Sequence, residues 1–135
     1  MLVQEYFDVV HSLLMITTAF ALISSYSTRF ELVHALRLCK VTRLFVDAKL
    51  LKNVLDAIQD PAVQITPDRI YILTGQPVGG RKSFGQMVDA VQRNKVAPEP
   101  VRAAKRDTLA YLVMSSGTSG LPKGAPESTI RPATQ

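Results

Sequence analysis

The chain has a single cysteine, Cys39, so it cannot close an intramolecular disulfide. That is compatible with a reducing compartment. A cytoplasmic location is the expectation, with peroxisomal or membrane-associated placement as the alternatives. Cysteine and histidine nowhere cluster with metal-ligand spacing, and no metal ligand is assigned. A concentrated basic face is also missing. The net charge of +5 is spread as −2 over residues 1–28, +2 over 29–60, +4 over 61–107 and +1 over 108–135. Its one dense spot, Arg102, Lys105 and Arg106, has no Tyr or Phe interleaved to stack bases, so no nucleic-acid partner is expected. Residues 9–28 carry no formal charge. A membrane span must therefore be weighed, because the length is near the lower limit for crossing hydrocarbon. Polar residues dilute it (His11, Ser12, Thr17, Thr18, Ser24, Ser25), no basic cluster flanks its start, and Glu5 and Asp8 argue against a signal peptide. The preferred reading is a helix over residues 3–16 followed by a buried strand over 18–23.

What is present is enough for one modest domain of 135 residues. With 47% hydrophobic and 20% charged residues, the composition is that of a folded chain rather than a disordered one. Thr28 and Glu31 have capping-box spacing and predict a helix start, with Leu32, Val33, Leu36 and Cys39 on its buried side. A short strand is predicted over 43–46. A helix follows over 48–58, with Leu51, Val54, Leu55 and Ile58 on one face and Pro61 beyond its end. Residues 69–73 read as a strand, 75–80 as a loop, and 83–93 as a helix capped by Ser83 with Phe84, Met87, Val88 and Val91 turned inward. The proline-bounded, charged stretch 96–107 reads as a linker. Alternating strands and helices imply an α/β fold, a partial parallel sheet with crossover helices.

Two loops invite a phosphate. Residues 75–83, Gly-Gln-Pro-Val-Gly-Gly-Arg-Lys-Ser, follow a strand and precede a helix, the setting of a Walker-type loop. Arg81 between Gly80 and Lys82 breaks the spacing, and Pro77 removes a backbone N–H, so a basic surface turn is the preferred reading. The second loop closes an apolar strand over 108–114 and reads Ser115-Ser116-Gly117-Thr118-Ser119-Gly120-Leu121-Pro122-Lys123-Gly124. Its glycines let an anion approach backbone N–H groups, its hydroxyls donate, and Lys123 adds a mobile positive charge. Pro122 and Gly124 flank the lysine where a common P-loop has Gly and Ser or Thr, so it is not that motif. A glycine/serine linker would require neither the strand before nor the Pro-Lys-Gly after.

That order, Ser-Ser-Gly-Thr-Ser-Gly-x-Pro-Lys-Gly after an apolar strand, resembles the signature of the AMP-binding, adenylate-forming superfamily. Its members include acyl-CoA and 4-coumarate–CoA ligases, luciferases and peptide-synthetase adenylation domains. Tyr26, Glu31 and Leu32 look like a degraded Asn-Pro-x-Tyr-Thr-x-x-Glu-Leu segment, and the stretch 43–46, Arg-Leu-Phe-Val, looks like the family's following strand. The resemblance implies part of an N-terminal domain over 1–124, a ligase activity that joins a carboxylic acid to ATP and then to a thiol, and use of ATP, Mg²⁺ and CoA. It also implies that Ser115, Ser116, Gly117, Thr118, Ser119, Gly120, Lys123 and Gly124 form the nucleotide-phosphate site. The family's adenine, ribose and C-terminal lysine motifs are not found after Gly124, and residues 125–135, with no histidine, read as an unstructured, divergent tail. No catalytic residue is assigned. The expectation is a fragment of an acid–CoA ligase, a truncated product or incomplete gene model, not competent alone. The alternative is a small non-catalytic protein that binds a nucleotide or partner, attached to a membrane through residues 9–28.

Overall fold

In a computed structural model of the chain, the described residues are 4–115 and 123–128. The uncharged N-terminal stretch divides as its composition predicts. Helix α1 spans Gln4–Met15 and strand β1 spans Phe20–Leu22, with Thr17 at φ 52° between them, where the chain reverses. No helix among the described residues is long and apolar enough to cross a membrane.

Helix α2, Arg29–Leu38, starts at the predicted capping box. The Thr28 hydroxyl accepts from the Glu31 N–H at 3.3 Å, and the Glu31 carboxylate accepts from the Thr28 N–H at 2.8 Å. Each bond satisfies a donor that the first helical turn leaves open. The bond from the Thr28 N–H foremost, and then one that the Thr28 hydroxyl donates to the same carboxylate oxygen at 2.9 Å, hold the Glu31 carboxyl below its ordinary pKa. Strand β2 (Leu44–Val46) leads through a 3₁₀ turn at Ala48–Leu50 into helix α3 (Leu51–Ala57), and strand β3 (Ile70–Ile72) follows. Asp47 caps the 3₁₀ turn by accepting from the Lys49 N–H and also accepts from the Thr74 hydroxyl at 3.1 Å, tying the ends of β2 and β3 together.

β2 and β3 pair in parallel, Leu44 with Ile70 and Val46 with Ile72, the β-helix-β crossover predicted from the alternation. Leu32 and Leu36 of α2, Leu51 and Val54 of α3, and Ile70 and Ile72 of β3 form the centre of the core, joined by Val63 and Ile65 from the loop before β3. Ile72 is fully buried and Leu36 nearly so. Cys39, predicted for the buried side of α2, is only partly covered.

Helix α4 (Phe84–Arg93) departs from expectation in its packing. Ser83 and Gln86 complete a second capping box at its start. Phe84 meets the Phe45 ring edge-on, yet Val88 and Val91 are 37% and 50% exposed rather than turned inward. Among the described residues the β2–β3 sheet is two strands wide, and the Phe45–Phe84 ring contact is where the helix meets it.

A second sheet holds β1, β4 (Leu109–Ser115) and β5 (Lys123–Ser128) in the order β1-β4-β5. β1 and β4 are parallel, whereas β5 returns antiparallel to β4. Residues 125–128, expected to belong to an unstructured tail, are therefore strand. Pro126 is accommodated because β5 is an edge strand, where the missing N–H need not meet a partner. Residues 129–135 lie outside the described residues.

Candidate phosphate-binding hairpin

The apolar run that precedes the signature becomes β4 because one flank is occupied by β1 and the other by β5. Phe20 pairs with Tyr111, and their rings stack at 5.6 Å; Leu22 pairs with Val113. Ala110 is buried. On the far flank the register runs from Leu109 opposite Ser128 to Met114 opposite Gly124 and Ser115 opposite Lys123, with one irregularity between Leu109 and Tyr111. Residues 115 and 123 are thus paired neighbours in the ladder.

The structure accordingly brings together three of the predicted site residues at backbone level: Ser115, Lys123 and Gly124. Ser116, Gly117, Thr118, Ser119 and Gly120 lie outside the described residues. The base of the hairpin is set beside α2 by a long-range contact, in which the Cys39 Sγ approaches the Met114 Sδ at 4.0 Å. Burial pushes the Cys39 thiol above its ordinary pKa, which keeps it protonated at neutral pH and unsuited to nucleophilic work.

The rival loop over 75–83 is a closed turn. Gly79 and Gly80 take φ of 59° and 73°, Val78 and Arg81 bridge antiparallel, and the Arg81 N–H donates to the Val78 carbonyl at 3.1 Å. Positive φ at both central residues is what a tight two-residue hairpin requires. The Arg81 guanidinium folds back and donates through Nη1 to the Gly79 carbonyl at 2.7 Å, and a Cβ at Gly79 would lie 2.9 Å from that nitrogen. The Arg81 amide and Nη1 are therefore committed to the turn itself, while its Nε is buried without a partner.

No group of three or more His, Cys, Asp or Glu that could hold a metal occurs among the described residues. The pairing of residues 123–128 escaped sequence reasoning. Its only signal is the Gly-Ala stretch after Lys123, which the proline and charged residues that follow overwhelm.

A family model described as AMP-binding enzyme matches residues 4–132. The chain belongs to the AMP-binding enzyme family. Among curated proteins no sequence matches it. Of solved structures, a red-emitting luciferase from Phrixothrix hirtus is similar over 94% of this chain and 24% of its own, with a TM-score of 0.77 and 20% identity. A long-chain-fatty-acid-CoA ligase from Archaeoglobus fulgidus is similar over 92% of this chain and 22% of its own, at a TM-score of 0.71 and 20% identity. An anthranilate CoA ligase solved with anthranoyl-AMP gives a TM-score of 0.65 at 24% identity, over 80% of this chain and 20% of its own. At these identities the likenesses establish the shared α/β fold. The AMP-binding chain described here spans about a quarter or less of the length of these three structures.

Proposed function

We propose that the chain carries the phosphate-gripping hairpin of an ATP-dependent acid–CoA ligase, within a portion of the N-terminal domain over residues 1–124. The observation that supports this most directly is the pairing of Ser115 with Lys123 across β4 and β5. It delivers both ends of the signature to one end of a strand embedded between two neighbours. A loop anchored so rigidly at its base can present successive backbone N–H groups and hydroxyls to an anion with little ordering cost at binding. In the full reaction the acid's carboxylate displaces pyrophosphate from ATP, and the acyl group then passes from the adenylate to a thiol. In that reading Ser116, Thr118 and Ser119 bond β- and γ-phosphate oxygens, Gly117 and Gly120 let the loop close, and Lys123 offsets charge on the departing pyrophosphate. Mg²⁺, when bound, supplies further charge neutralisation, and CoA the thiol.

A phosphate grip stabilises the leaving group but does not position adenine, ribose or acid, so the chain by itself is proposed to bind polyphosphate without turnover. Calorimetry with inorganic triphosphate and with ATP tests binding. Both should bind with comparable affinity, and Lys123→Ala should weaken both by at least fivefold. Acid-dependent exchange of pyrophosphate into ATP tests turnover. Exchange by the parent chain that disappears in Lys123→Ala would overturn the claim of incompetence, and equal triphosphate affinity in parent and variant would overturn the phosphate grip.

A further inference from the structure

We draw no further inference here: the strongest candidate, the side-chain cluster of Cys39 and Met114 where the end of α2 meets the end of β4, rests on a lone cysteine, and no second feature among the described residues points to a ligand there.

Discussion

Ile72 is the residue at which the burial and pairing arguments meet, and its truncation gives a graded test of them. Its side chain is fully buried, its backbone pairs with Val46, and its N–H donates to the Lys82 carbonyl at 3.0 Å. Substitution by alanine leaves those backbone bonds in place and removes three carbons from the core. At about 0.8 kcal/mol per buried methylene, the transfer contribution is roughly 2.4 kcal/mol. The cavity left behind raises the cost toward about 4 kcal/mol where the surroundings do not collapse. Ile72→Val removes one carbon and should cost about 1 kcal/mol. For a domain whose total stability is of order 5–15 kcal/mol, the alanine variant is severely weakened and the valine variant is not. Urea unfolding followed by far-ultraviolet circular dichroism measures both, with the slope checked so that a midpoint shift reports stability alone. An alanine variant within about 1 kcal/mol of the parent would refute the reasoning, because a fully enclosed side chain cannot be shortened that cheaply.

Thr28→Ala removes the cap of α2 and should lower stability by about 1 kcal/mol in the same urea assay, with Thr28→Ser recovering most of it. Glu31 and Asp68 both have folded-state pKa values below their ordinary ones, Glu31 through the Thr28 backbone bond first and Asp68 through the Thr66 side chain first. The stability they contribute is therefore fully present above the ordinary carboxylate range and is lost as pH falls through the lowered folded-state values. Urea midpoints measured downward from about pH 6 should decline, and Glu31→Gln should make that decline shallower. Cys39, with its thiol pushed up by burial, should react with iodoacetamide at neutral pH several-fold more slowly in the folded protein than in urea, and equal rates would show the site to be open.

The sequence was most legible where a local device dictates the backbone. The Thr28–Glu31 box and the Ser83 cap name their own partners within three residues, and the paired glycines before Arg81 force a turn whatever surrounds them. The α/β alternation was legible for the same reason, since β-branched runs and amphipathic stretches announce themselves within one element. Burial on α4 was not. Its apolar stripe has helical spacing, but whether Val88 and Val91 are covered depends on how wide a sheet the rest of the chain builds, which no local pattern states. β5 was illegible because the proline at 126 and the charge at 127 argue against a strand in isolation. They are tolerated at the edge of a sheet, and only the neighbour, β4, makes that position an edge.

The contrast between the two edges of the β1-β4-β5 sheet has a consequence for the candidate site. Among the described residues β5 is the last strand of its sheet, and its sequence carries residues that discourage further pairing. The β1 edge carries none, and it is β1 that holds the other flank of β4 through the Phe20–Tyr111 and Leu22–Val113 pairs. The placement of β4 at the base of the candidate hairpin therefore rests on a three-residue strand on one flank and on β5 on the other.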